Sequence, residues 1–353
     1  MSSSPSTVAS LDLPVDFGAA LDTLRELCRQ HSTAVVLTHD NPDPDAMASA
    51  AGLSFLFAEL GGLRTQLAYG GIIGRAENRA LVRHLKLPMT PISKVHTPED
   101  TLWALVDTQP PTGNHSLPAG AVAKVVVDHH PERPGAAGSP LWLISNHFGA
   151  TSTMVTLLIH AAGLEPNPML ATALFYGVKS DTRALGREAG EADTEAYRWL
   201  FGLTDPALLA EIEHPQVPVS YFRAYHHAYE QARMRGNVIT VDMGGVYLPD
   251  IVPEIAERLL SLDGVKWSVA VGEHEDELYV SLRTNDRRMN AGKQIRALTE
   301  DLGGSAGGHG QMAGARLPLE GLSQKKRQAL AAAVLDRFAE NFGVEGETPA
   351  PIV

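Results

Sequence analysis

A chain of 353 residues that is 44% hydrophobic and 20% charged has the composition of a globular protein, with room for about two domains. Its formal charge of −12 repels a polyphosphate backbone. That argues against long duplex nucleic acid as a partner but leaves a small anionic substrate open, because bound divalent ions would reverse the sign locally. No apolar run reaches the roughly 18 residues a membrane-spanning helix needs, so no membrane partner is expected.

The leading MSSSPSTVAS lacks the basic and apolar regions of a secretion signal and reads as a short disordered leader. The single cysteine, Cys28, excludes an intrachain disulfide and argues against a cysteine-built zinc site. It falls in the apolar rhythm of Phe17, Leu21, Leu24 and Leu27, as a buried core thiol would. Cytoplasmic residence fits these features.

Residues 34–37 form a short apolar strand, followed by a polar loop and an apolar helix over 46–60. Strands follow at 65–69 and 102–106, and the β-branched run 122–127 has the pattern of a central parallel strand. Helices are predicted at 150–162 and 168–178. The alternation predicts an α/β fold with a doubly wound parallel sheet over residues 14–193. Residues 194–236 read as a helical connector, punctuated by Pro206, Pro215 and Pro218. A smaller α/β domain is predicted over 237–345, with a strand at 238–241 and a helix at 253–262. A hairpin-like strand pair at 266–272 and 278–283 and a helix at 290–302 come next, then a glycine-rich turn and a last amphipathic helix over 324–342.

Acids and histidines recur at the ends of these apolar elements. His39-Asp40-Asn41-Pro42-Asp43-Pro44-Asp45 follows the first strand directly, where an open α/β sheet binds ligands. Taken alone, this loop is equally well a polar turn with one aspartate as helix N-cap. The pattern then repeats: Asp107 ends the strand 102–106, Asp128-His129-His130 ends the strand 122–127, and Ser180-Asp181-Thr182 closes the helix before the connector. Four such placements are hard to assign to unrelated turns. His39, Asp43, Asp45, Asp107, His129 and Asp181 supply two imidazoles and four carboxylates, enough for two metals sharing a bridging carboxylate. Nitrogen and oxygen donors without thiolate favour Mn²⁺, with Mg²⁺ or Co²⁺ as alternatives. Without cations, four carboxylates in one pocket would repel strongly.

In order and spacing these four motifs resemble those of the DHH phosphoesterase superfamily. Gly307-Gly308-His309-Gly310-Gln311-Met312-Ala313-Gly314 is similar to the glycine-rich motif of its associated C-terminal domain. The resemblance runs from about Val35 to Gly314 and is strongest to the nano-RNase, pAp-phosphatase and cyclic-dinucleotide phosphodiesterase branch. It implies that His39, Asp43 and Asp107 hold one metal, that Asp45, Asp107, His129 and Asp181 hold the second, and that Asp107 bridges. It further implies that His130 faces substrate as a proton donor or phosphate contact and that Asp128 orients a histidine. Gly307, Gly308, His309 and Arg283 would bind substrate, the glycines by letting backbone amides approach an anion. The implied substrate is a short oligonucleotide, a dinucleotide or 3′-phosphoadenosine-5′-phosphate, with a cyclic dinucleotide as the alternative; a homodimer is left open. A non-catalytic nucleotide-binding module on the same scaffold is the rival reading, and it would be expected to have lost ligands.

Three details depart from the common pattern. Arg183 stands where a glycine is usual, either reaching for substrate phosphate or altering the turn. Asp107 is followed by Thr108-Gln109-Pro110 instead of an arginine-containing context, and Gln311-Met312-Ala313 replaces a pair of alanines. The segment Gly70-Gly71 to Arg79 has the composition of a substrate-facing loop, without a residue that assigns it a role.

Overall fold

The computed structural model describes residues 13–134 and 138–353, apart from the side chain of His309. The leader therefore lies outside the described residues. The chain divides into two compact units, Met1–Pro215 and Gln216–Val353. The stretch read as a connector is shared between them: its first helices pack in the first unit and its last in the second.

In the first unit, α1 (Phe17–Gln30) precedes β1 (Thr33–Leu37), α2 (Pro44–Gly61), β2 (Arg64–Tyr69), α3 (Ala76–His84) and β3 (Met89–Pro91). Strands β4 (Leu102–Val106), β5 (Ala123–Asp128) and β6 (Leu141–Ile144) follow, then α4 (Thr151–Ala161), α5 (Pro168–Asp181), α6 (Glu191–Phe201) and α7 (Pro206–Glu213). The six strands pair in parallel in the order β3-β2-β1-β4-β5-β6. Strand order reverses between β1 and β4, and at such a switch point the two outgoing loops diverge and leave a crevice at the carboxyl ends of the strands.

The strand order is that of a doubly wound sheet, but α-helices cover only one of its faces. Residues from α1 through α7 all join one core with Ala34, Val36, Ala104, Val125 and Val127 of the strands. The opposite face, with Val35, Leu37, Leu105 and Val126, is covered by Ile92, Val95, Leu117 and the tryptophans Trp103 and Trp142. Between β4 and β5 the chain carries Pro110, Pro111, Gly113, Pro118 and Gly120, which cannot sustain the crossover helix that alternation implied.

Within the helical layer, α2 packs against α4 and α5 through glycines. A Cβ on Gly52 would come within 2.5 Å of Val155 Cγ1, and one on Gly177 within 2.2 Å of Ser152 Oγ. This close approach brings the start of α2, the start of α4 and the end of α5 together. Cys28 is buried in the same core, and burial pushes its thiol up to about 11.

The second unit contains α8 (Val219–Gln231), β7 (Arg233–Arg235), β8 (Val238–Gly245), α9 (Ile251–Leu260), β9 (Trp267–His274) and β10 (Glu277–Thr284). It continues with α10 (Ala291–Thr299), β11 (Ser305–His309), β12 (Met312–Pro318), α11 (Gln324–Asn341) and β13 (Ala350–Pro351). The strands form one mixed sheet, β11-β12-β10-β9-β8-β7-β13, in which β8 and β9 alone are parallel neighbours. Ile295, Val334 and Phe338 from α10 and α11 pack on one face, and Ala228, Ile255 and Leu259 from α8 and α9 on the other. The segment expected as a glycine-rich turn is the edge strand β11, with Gly307 opposite Gly314 and Gly308 opposite Ala313. Its glycines serve close packing: a Cβ on Gly292 of α10 would lie 1.9 Å from the Gly308 carbonyl oxygen.

Among the described residues no helix is long and apolar enough to cross a membrane. Substituting Gly177→Ala should destabilise the first unit by about 1–3 kcal/mol through overpacking against Ser152. Chemical denaturation checks this; an unchanged midpoint would show that α4 and α5 separate without cost.

Candidate metal centre

The loop leaving β1 carries His39 and Asp43, and Asp45 lies in the first turn of α2. Asp43 is the N-cap of α2, its Oδ1 accepting from the Ala46 amide at 3.0 Å, and Pro44 follows at the first helical position. Asp43 therefore caps a helix and also faces His39, whose Nε2 lies 3.8 Å from the same oxygen. Asp107 ends β4 with left-handed backbone, φ 57°, a costly conformation for a non-glycine residue and one that clusters at functional sites. Its amide donates to the Val127 carbonyl at 2.9 Å, tying it to β5, which ends in Asp128 with His129 and His130 next. Asp181 is the last residue of α5.

These side chains form two adjoining groups, His39–Asp43–Asp107 and Asp45–His129–Asp181, and Asp107 also groups with His129 and His130; in each the ligand atoms lie within 4.8 Å of one another. Asp107 reaches both. Its Oδ2 is 3.4 Å from His39 Nε2, and its Oδ1 is 3.6 Å from His129 Nε2. His129 Nε2 is also 3.1 Å from Asp181 Oδ2. The histidine tautomers follow from what their other nitrogens touch. His39 Nδ1 lies 2.9 Å from the Asp40 carbonyl and His129 Nδ1 3.3 Å from the Phe148 carbonyl. A carbonyl only accepts, so each Nδ1 carries a proton and Nε2 is the atom left to bind a cation in exchange for its own proton, the orientation that metal-ligating histidines adopt. All donors are nitrogen or oxygen, and the residues fit a pair of hard divalent cations.

In the absence of cations the cluster is electrostatically frustrated. Burial, then the charges of Asp107 and Asp181, hold the Asp45 carboxyl well above its ordinary range. Burial works against a charged His39 and a charged His129. Hydrogen bonds and charge from Asp107 and Asp43 outweigh it for the first, those from Asp181 and Asp107 for the second, and both rise well above the usual imidazole value. Asp43 moves down instead, because the bond to His39 overcomes burial. His130 is likewise raised against burial, chiefly by Asp128, whose Oδ1 lies 2.8 Å from Nδ1 and 3.1 Å from the His130 amide. The histidine that Asp128 orients is thus His130.

Several residues that the sequence did not single out hold the cluster in place. The amides of Thr151 and Ser152, at the start of α4, donate to Asp45 Oδ2 and Oδ1, both at 2.7 Å. Helix α4 has Ala150 at its N-cap and no capping side chain of its own, so the distant Asp45 supplies the cap and the negative charge that a helix start favours. Thr151 Oγ1 also donates to Asp107 Oδ1 at 2.9 Å and accepts from the His129 amide at 3.2 Å. Gln109 donates to Asp128 Oδ2 at 2.8 Å, so the departure after Asp107 provides a neutral partner for that carboxylate. Arg187 grips Asp181 through its backbone carbonyl and its Oδ1, the latter at 3.2 Å. The missing cap before the Thr151-Ser152-Thr153 run was the one readable signal of this support.

Arg183 is exposed and left-handed, φ 48°, followed by left-handed Ala184 and Leu185. Glycine takes that conformation without strain, the physical reason a glycine is usual there. The segment from Gly70 bears on the metal loop: Gly70 accepts from the Asn41 amide at 3.0 Å, the Ile72 amide donates to Asn41 Oδ1 at 3.0 Å, and buried Asn78 donates to the Pro42 carbonyl at 3.1 Å. In the second unit, Arg283 is buried in β10 and its Nη1 donates to the carbonyls of Leu282 and Ala313 at 3.0 and 3.1 Å. Gly307 and Gly308 lie exposed on β11, and the side chain of His309 lies outside the described residues.

A parallel sheet with a carboxylate–imidazole cluster at its switch point, followed by a separate mixed-sheet unit, defines the class of protein. The sequence profile of the DHH family, N-terminal domain, matches residues 33–178, and that of the DHHA1 domain matches residues 235–340. The chain belongs to the DHH family. It is 32% identical over 320 residues to an uncharacterized protein of Methanocaldococcus jannaschii, covering 89% of this chain and 65% of that protein. It is 25% identical over 333 residues to the cyclic-di-AMP phosphodiesterase GdpP of Geobacillus thermodenitrificans, covering 89% and 49% respectively. The chain thus spans less than two thirds of the length of either relative. Among solved structures, an exopolyphosphatase-related protein from Bacteroides fragilis shares the fold, with a TM-score of 0.69 at 14% identity over 94% of this chain and 99% of that one.

Because Asp107 faces both ligand groups, Asp107→Ala should abolish metal binding at both. Asp43→Ala should leave Asp45, Asp107, His129 and Asp181 able to hold one ion. Metal stoichiometry after equilibrium dialysis against Mn²⁺ distinguishes these outcomes; two ions on folded Asp107→Ala protein would refute the shared ligand.

Proposed function

We propose that this chain is a phosphoesterase dependent on two divalent cations, acting on a phosphate ester of a small nucleotide: a short oligonucleotide, a dinucleotide or 3′-phosphoadenosine-5′-phosphate. The observation that carries the reading is the position of Asp107, with one carboxylate oxygen toward each histidine-bearing group. Two cations held ~3.5–4 Å apart would lower the pKa of a bound water and stabilise the attacking and leaving oxygens on phosphorus. The donor set favours Mn²⁺, with Mg²⁺ or Co²⁺ able to substitute.

The chain's own residues do the rest. His39 and His129 keep their Nδ1 protons on backbone carbonyls and present Nε2 to the cluster. Asp128 engages Nδ1 of His130, so Nε2 is the atom that would donate a proton to the leaving group or contact phosphate. Arg183, Arg283, Gly307, Gly308 and His309 enter the reading as substrate-binding residues. A cyclic dinucleotide is the second reading, favoured by the similarity to GdpP across both domains. A non-catalytic module would not need the full ligand set. A cytoplasmic location suits a chain whose lone cysteine is a buried free thiol.

Hydrolysis of a panel of these substrates with Mn²⁺, with and without chelator, tests the reading. Chelator-sensitive release of a mononucleotide or phosphate is expected, and no cleavage by folded, metal-loaded protein would favour the binding module. His130→Ala should lower kcat by about 10²–10⁴-fold, as expected for loss of a general acid, with metal stoichiometry retained; full turnover would remove it from the chemistry. Arg183→Gly should leave Tm unchanged or higher while raising KM several-fold, and an unchanged KM would mean that Arg183 only shapes the turn.

A further inference from the structure

Asp193, in the first turn of α6, is fully buried and lies outside every motif that marks the metal centre. Its Oδ1 and Oδ2 accept from the Gly149 amide at 2.9 and 3.0 Å, Oδ1 accepts from Thr153 Oγ1 at 2.6 Å, and Oδ2 accepts from the Gly190 amide at 2.8 Å. These three donors are neutral. A capping role for α6 explains the Gly190 bond but not the other two donors, which lie at the start of α4. Burying a carboxylate is costly unless its bonds are short and well aimed, so a helix cap alone is a weak reason for this arrangement.

The segments that Asp193 joins are those that hold one ligand group. Gly149 lies between Phe148, whose carbonyl accepts from His129 Nδ1, and the α4 start, whose Thr151 and Ser152 engage Asp45 and Asp107. Gly190 closes the turn that leaves Asp181. That turn packs on Gly149, where a Cβ would come within 2.7 Å of Thr182 Cγ2 and 2.8 Å of the Glu188 carbonyl oxygen. Through these contacts one carboxylate couples the supports of Asp45, Asp107, His129 and Asp181. None of its bonds reaches His39 or Asp43, which are held by the Asp40 carbonyl and the α2 amide of Ala46.

We infer that Asp193 is a positioning residue that sets the affinity of the Asp45–His129–Asp181 metal site selectively, without touching metal or substrate. This rests on the two-cation reading of the centre. Because the contacts of Asp193 reach the His39–Asp43 side only through the shared Asp107, that site serves as an internal control.

The test is calorimetric titration of the full-length chain with Mn²⁺. Wild type is expected to bind two ions. In Asp193→Asn, which keeps volume but turns an amide donor toward the Gly149, Gly190 and Thr153 donors, one site should weaken at least tenfold while the other stays within twofold. Raised Mn²⁺ should restore turnover in the variant. Two wild-type affinities in a folded variant with lowered Tm would overturn the inference and leave Asp193 a purely structural residue. Equal weakening of both sites would also overturn it. Should Asp193→Asn fail to fold, Thr153→Val removes one donor at nearly constant shape and should weaken the same site several-fold; unchanged affinities there refute the coupling. A wild-type chain that takes up no Mn²⁺ would overturn the metal-centre reading itself, a result visible before any variant is made.

Discussion

Asp107 is buried between two histidines, with its backbone held left-handed at the end of β4 and its two oxygens turned toward different partners. Three further carboxylates share its surroundings, and burial with the charges of Asp107 and Asp181 raises the Asp45 carboxyl well above its ordinary range. Like charges this close cannot all remain ionised in a partly buried pocket unless cations neutralise them. The architecture of the first unit can be read as the means of holding acids together where they would otherwise separate. The parallel sheet supplies the location, because β1, β4 and β5 are neighbours whose carboxyl ends open at one switch point.

The helices then use their dipoles in opposite ways. Asp45 sits at the start of α4, where two amides and the positive end of the helix stabilise a carboxylate. Asp181 ends α5, where the dipole is unfavourable for an acid, and Arg187 and His129 offset it. Glycines at Gly52 and Gly177 let the three helices approach closely enough for both placements to coincide. The supporting residues are ordinary in kind: a threonine hydroxyl, a glutamine amide and a second buried aspartate. Their effect is to fix the orientation of the carboxylates and imidazoles of the cluster, as groups around a metal site commonly do.

The residues that cluster were legible because position relative to an apolar strand is a local property. His39, Asp43, Asp107 and His129 each follow such a run closely, and the expected strand over 102–106 coincides with β4. What could not be read was anything that depends on partners distant in sequence. Asp45 caps a helix more than a hundred residues away, and Asp193 reaches back over forty to Gly149. The strand order is the doubly wound one, but α-helices cover a single face, which was not legible because alternation counts helices without saying which face they cover. Ser305–His309 was taken for a turn because glycine is weakly informative: here it permits a strand and a helix to touch, not a reversal. Arg283 stands next to the last residue of β10, as expected, but its bonds to two carbonyls are a burial that no local pattern marks.

The central claim is that one carboxylate joins two cations into a single centre. Electron paramagnetic resonance of the Mn²⁺-loaded chain addresses it directly, because two ions bridged by a shared ligand are exchange-coupled and isolated ions are not. The account predicts the signature of a coupled pair at two equivalents of Mn²⁺. Two uncoupled six-line signals at that loading would contradict it.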